Sequence, residues 1–150
     1  MAFASLANNL VSGDTNDQQD IFVHDRQTGQ TTRVSVASGG AQANDFSSNP
    51  SISADGRYVA FVSSASNLVG GDTEPPILPS TTSLPNNPAS SYLGVNNVFV
   101  HDRWTGATTL VSVAIDGSES SGHSEEVSIS ADGRYVAFRS WASNLVLCQA

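Results

Sequence analysis

Apolar side chains along this chain come in short bursts separated by polar turns, and no burst has the i, i+3, i+4 spacing of a helix. Ile21-Phe22-Val23 leads into His24-Asp25-Arg26 and a Thr28-Gly29 turn. Tyr58-Val59-Ala60-Phe61-Val62 is an unbroken apolar run that follows Asp55-Gly56 and ends in serines. A run that is apolar on both pleat faces predicts a strand covered on both sides. Asp-Gly between two such segments predicts a hairpin. Strands are accordingly expected at 2–5, 20–26, 31–37, 50–53, 57–64, 97–103, 108–114, 127–130 and 134–140.

The same pattern is written more than twice. Phe22-Val23-His24-Asp25-Arg26 returns as Phe99-Val100-His101-Asp102-Arg103, and Ser51 to Phe61 returns unchanged as Ser128 to Phe138. Residues 20–69 align with 97–146 without a gap, 32 of the 50 pairs being identical at an offset of 77. Residues 2–15 match 60–73 at 10 of 14 positions, at an offset of 58. The offsets differ by 19 residues, so the basic repeat is 58 residues long and its second copy carries a 19-residue insertion. The insertion falls within 74–95, a stretch holding five of the six prolines. Proline cannot donate to a sheet ladder, which predicts a surface loop there.

Each repeat reads as four antiparallel strands, the make-up of a β-propeller blade. The expected fold class is therefore all-β, with about two blades' worth of chain. A partial blade over 1–49 supplies the end of strand 2 with strands 3 and 4. A complete blade over 50–126 contains the Pro-rich insertion. A second partial blade over 127–150 supplies strands 1 and 2. Pro50-Ser-Ile-Ser-Ala-Asp-Gly-Arg-Tyr-Val-Ala-Phe, with Val-Phe-Val-His-Asp-Arg, the Thr-Gly turn and Thr-Thr-x-Val-Ser-Val, resembles the WD40-like blade of TolB-like bacterial β-propellers. The second copy departs from that pattern at Val127, where the first has Pro50. The resemblance implies a propeller that serves as a binding scaffold, in a bacterial periplasmic or secreted setting.

Two blades do not close a ring, since propellers hold 4–8. Three arrangements follow: part of a longer propeller, a ring of several chains in which the C-terminal strands of one complete the N-terminal remnant of the next, or an open two-blade sandwich. Met1-Ala-Phe-Ala-Ser-Leu-Ala lacks the basic region and the apolar length of a signal peptide, and it matches an internal strand of the repeat.

Composition narrows the function. Six arginines, no lysine and 14 acidic residues give a net charge of -8. That balance speaks against nucleic acid, whose phosphates require clustered cations. No apolar run reaches the length of a membrane span, and the single Cys148 excludes an internal disulfide or a Cys-cluster zinc site.

Few residues suggest chemistry. His24-Asp25-Arg26 and His101-Asp102-Arg103 occur at the same place in each repeat, as do Asp55-Gly56 and Asp132-Gly133. Residues copied into every repeat are expected to determine fold, with Asp bonding its own turn, Gly supplying a positive φ and Arg pairing with a carboxylate. Gly122-His123-Ser124-Glu125-Glu126 is not repeated, and it lacks the closing glycine of a nucleophile elbow, so an acidic loop before a strand is expected. Asp14, Asn16 and Asp20 have an oxygen-donor spacing that could hold Ca²⁺, although the EF-hand glycine and glutamate are missing; the plainer reading is a polar turn. No other cofactor is expected. The sequence therefore predicts a non-enzymatic β-propeller scaffold or binding module, with a protein partner or self-association into a multi-blade ring and the Pro-rich segment as contact surface. The alternatives are a non-catalytic propeller portion of a larger hydrolase or peptidase, and a Ca²⁺-stabilised extracellular adhesive module.

Overall fold

The computed structural model describes residues 1–70 and 95–146. All of the Pro-rich insertion except Val95 lies outside them, as does Cys148. Among the described residues there are nine strands and no helix, hence none long and apolar enough to cross a membrane. β1 (Ala2–Ser5), β2 (Asp20–His24) and β3 (Thr31–Arg33) form one antiparallel sheet. β4 (Ser47–Ile52), β5 (Tyr58–Ser63), β6 (Asn97–Asp102) and β7 (Ala107–Leu110) form the second, in sequence order. β8 (Ser124–Ile129) and β9 (Val136–Ser140) pair as the third.

Strand alternation decides what each sheet buries. Val59 and Phe61 of β5 and Phe99 of β6 join Ile21 and Val23 of β2, and Val34 just beyond β3, in one core cluster. The alternate residues Ala60, Val62 and Val98 point to the opposite face, and they are also buried, with β8 packed against β5 and β6. The apolar run 58–62 is thus covered on both sides, as its pattern predicts. In-register phenylalanines stack at the same place in two sheets: Phe3 on Phe22 with centroids 5.8 Å apart, and Phe61 on Phe99 at 5.9 Å.

Two elements depart from expectation. The fourth strands, expected over 31–37 and 108–114, stop at Arg33 and Leu110. Beyond them the backbone folds over a turn closed by Gly40 or Gly117, both at positive φ, and leaves only the single bridges Val36–Gln42 and Val113–Glu119. Serine takes over the ladder there: Ser35 Oγ accepts from the Ile21 amide, and Ser112 Oγ from the Val98 amide, each at 3.0 Å. The first strands start earlier than expected, at Ser47 and Ser124. Each absorbs a β-bulge, between Ser48 and Ser51 and between Glu125 and Ser128, with Asn49 and Glu126 at positive φ. A bulge on an edge strand accommodates Pro50, which would break a regular ladder.

The two Asp-Gly hairpins separate conformational strain from packing. Gly56 and Gly133 sit at φ of 74° and 73°. A Cβ on Gly56 would meet only an Arg103 nitrogen at 3.7 Å, whereas one on Gly133 would run into the Tyr58 ring. Both alanine variants should lose about 1–2 kcal/mol to the left-handed backbone. Gly133→Ala should lose roughly 1–3 kcal/mol more through displacement of Tyr58. Urea midpoints of the two variants check this order.

Candidate functional site

The three proposed cation ligands do come together, around an arginine. Arg33 Nη1 lies 3.3 Å from Asp14 Oδ1 and 3.6 Å from Asp20 Oδ2, and Arg33 Nη2 donates to the Gly13 carbonyl at 3.2 Å. Asn16 directs its amide nitrogen to the Ala43 carbonyl at 2.9 Å and to Asp20 Oδ2 at 3.3 Å. Its oxygen accepts from the Gln18 amide, closing the local turn. Asp20 is fully buried and accepts from Ser35 Oγ at 2.5 Å. Burial pushes the Asp20 carboxyl above its usual pKa, against the opposing pull of Ser35 and Arg33. Arg33 Nε and Nη1 are buried without hydrogen-bond partners among the described residues, so the guanidinium acts on the two carboxylates mainly as a charge.

Arg33 was not singled out by sequence reasoning, yet the repeat contains a signal for it. Asp20 and Arg33 correspond to Asn97 and Leu110, so carboxylate and guanidinium are exchanged together for neutral residues. The hydroxyl partner stays, with Ser112 Oγ donating to Asn97 Oδ1 at 2.7 Å.

The repeated polar motifs bond within the sheets. Arg57 holds Asp102 in a fork, Nε to Oδ1 at 3.0 Å and Nη2 to Oδ2 at 2.7 Å, and its guanidinium also lies over the Tyr58 and Trp104 rings. This bidentate pair holds the Asp102 carboxyl far below the usual carboxylate range. Arg103 Nη1 donates to the Gly56 carbonyl at 2.7 Å. Asp55 and Asp132 close their own hairpins, accepting from Ser53 and Ser130 hydroxyls and from the Arg57 and Arg134 amides. Asp25 accepts from the Gln27 amide at 2.8 Å, while Arg26 is exposed. His101 is buried and pairs through Nδ1 with Thr108 Oγ1 at 2.8 Å. The Thr108 hydroxyl donates its one proton to the Val36 carbonyl, so it accepts from His101, which places the imidazole proton on Nδ1.

Gly122 to Glu126 is not wholly a loop, because Ser124, Glu125 and Glu126 open β8. Ser124 is buried and donates to Ser140 Oγ at 3.0 Å, as Ser47 does to Ser63. His123 Nδ1 accepts from the Asn96 amide at 3.1 Å, away from that hydroxyl. A groove of about 440 Å³ opens between the end of β2 and the β4–β5 hairpin, lined by residues that include Met1, His24, Asp25, Arg26, Gly56 and Arg103. No protein-family model matches the chain, and no curated protein matches it at a significant level.

Arg33→Met should destabilise the fold by about 3–5 kcal/mol, because it leaves two buried carboxylates without their cation. Calcium at millimolar concentration should produce no binding heat with the intact chain, since the Arg33 guanidinium already occupies the position between the two carboxylates; a saturable heat would mean that calcium displaces it. Acid acts first at His101. Burial lowers its pKa, so the unfolded chain takes up the proton first as pH falls through about 6.5. Stability should therefore drop between pH 7 and 5, and His101→Gln should flatten that drop. The Asp102 contribution is intact above its unfolded value of 3.8 and is lost only below it. Asp20 opposes that lower transition, because its raised pKa makes protonation favour the fold. Urea titrations at several pH values separate the two windows.

Proposed function

We propose that this chain is a run of TolB-like, WD40-like β-propeller blades that serves as a non-catalytic binding scaffold. The observation that carries the reading is that the bonds between successive sheets recur at the repeat offset. The Ser47 amide donates to the Gln19 carbonyl at 2.7 Å, and 77 residues on the Ser124 amide donates to the Asn96 carbonyl at 2.8 Å. Further bonds tie the second sheet to the third, from the Ala54 amide to the Ala131 carbonyl and from the Ile129 amide to Ser51 Oγ. Sheets that repeat both their internal and their mutual bonds behave as units of one stack.

The scaffold reading is supported by what the polar groups do. Ser124, His101 and Asp102, whose side chains are of types that serve in catalysis elsewhere, spend their hydrogen bonds on neighbouring strands and turns. A protein partner would meet the loops that join the strands, where recognition is concentrated in scaffolds of this kind.

Native-state hydrogen exchange tests the stack. The bridging amides of Ser47, Ala54 and Ser124 should exchange together with the central amides of β5, as one cooperative unit. Independent exchange of the three sheets would remove the blade reading. Ester or peptide hydrolysis abolished by Ser124→Ala would remove the non-catalytic one.

A further inference from the structure

We propose that Asp116 is a modification site: its side chain condenses with the Gly117 amide and the backbone converts there to an isoaspartyl link, while the two Asp-Gly hairpins of the same chain are protected. The proposal goes beyond the scaffold reading and stands without it.

Asp-Gly is the dipeptide in which this reaction meets least resistance, because glycine has no side chain to shield its amide. The chain holds three such pairs, Asp55-Gly56, Asp116-Gly117 and Asp132-Gly133. All three aspartates are exposed. The carboxyl pKa of each is lowered, in the first place by a serine hydroxyl, from Ser53, Ser118 and Ser130 respectively. Each glycine has a positive φ and donates its amide to the carbonyl three residues back, at 2.9–3.0 Å. Charge and local turn geometry therefore do not separate the three pairs. The anchoring of the turn does.

In the hairpins the serine that holds the carboxylate belongs to the ladder. Ser53 Oγ donates to Asp55 and accepts from the Tyr58 amide, and the Ser53 amide donates to the Tyr58 carbonyl at 2.9 Å. Ser130 does the same with Asp132 and Tyr135. The glycines are held too: Arg103 Nη1 grips the Gly56 carbonyl, and the Tyr58 ring lies against Gly133. Among the described residues Asp116 has no such anchor. Its Oδ1 accepts from the Ser118 amide at 2.9 Å and the Ser118 hydroxyl at 2.6 Å, and Ser118 is an exposed member of the same turn. A Cβ on Gly117 would meet nothing within 4 Å, and the turn is closed by the isolated bridge Val113–Glu119. This openness belongs to the repeat. The corresponding turn at Gly39-Gly40 is exposed and closed by the isolated bridge Val36–Gln42, although the second sheet lies beside it and exchanges hydrogen bonds between Ser38 and Thr108. There glycine stands in place of Asp116, so that copy carries no carboxyl to react.

When the turn opens, the Gly117 nitrogen attacks Asp116 Cγ in the neutral acid form. An N–Cγ bond forms, and the amide proton leaves with the carboxyl hydroxyl as water, giving a five-membered imide. Water then adds at the main-chain carbonyl of the imide and breaks its bond to the Gly117 nitrogen. The main chain now runs through Cβ and Cγ, one methylene longer, with a free carboxylate on Cα and no net change in mass.

Prolonged incubation of the intact chain at mildly acidic pH, followed by cleavage at arginine and fragment-ion location of isoaspartate, tests this. Isoaspartate should accumulate at Asp116 about tenfold faster than at Asp55 or Asp132, in proportion to the easier local opening. Ser118→Ala, a surface change, should raise the rate at Asp116 about tenfold and leave the other two sites unchanged. In guanidinium chloride the three rates should converge. Equal rates in the folded chain, or a preference for Asp116 that persists in denaturant, overturn the proposal. An unchanged rate in Ser118→Ala overturns the part assigned to that serine.

Discussion

The constraint on which the structure depends is that the middle sheet is apolar on both faces. Val59, Ala60, Phe61 and Val62 are consecutive and all buried, so no single packed layer can satisfy β5. One face is covered by Ile21, Val23 and Val34, the other by the β8–β9 sheet. The covering layers come from the same repeat, and they therefore present the same two-faced character in turn. Ala60 is fully buried in the middle sheet, while its counterpart Ala137 in the last sheet is exposed. Identical residues in identical strands thus differ in burial by their place in the stack alone. Hydrophobic patterning specifies the sheet, and the number of neighbours specifies how much of it leaves water.

The polar half of the sequence solves a different problem. Strands of three to six residues expose backbone amides at every end, and a buried amide without a partner costs about 1–3 kcal/mol. Serine supplies the partners. Ser35 and Ser112 continue the ladder where the fourth strands stop, and Ser53 and Ser130 accept from the tyrosine amides across the hairpins. Ser63 and Ser140 accept from the alanine amides two residues on. A hydroxyl both donates and accepts, and it is small enough for a sheet interface, which explains a chain rich in serine yet only 13% charged. Eight serines are buried among the described residues.

What could be read from the sequence follows from this division. Strand positions and Asp-Gly turns were legible because the repeat states them twice. The bulges were not: a residue at positive φ such as Glu126 has no sequence signature when it is neither Gly nor Asn, and Pro50 argues against the strand that contains it. The shortened fourth strands were missed because Val36 and Val113 keep the alternation after the ladder has ended. At the candidate site the spacing of Asp14, Asn16 and Asp20 did place three oxygen-bearing side chains together. It did not reveal that an arginine 13 residues after Asp20 stands among them. Spacing describes donors on one segment, whereas the cation comes from the next strand, and only the paired exchange of Asp20 and Arg33 for Asn97 and Leu110 points to it.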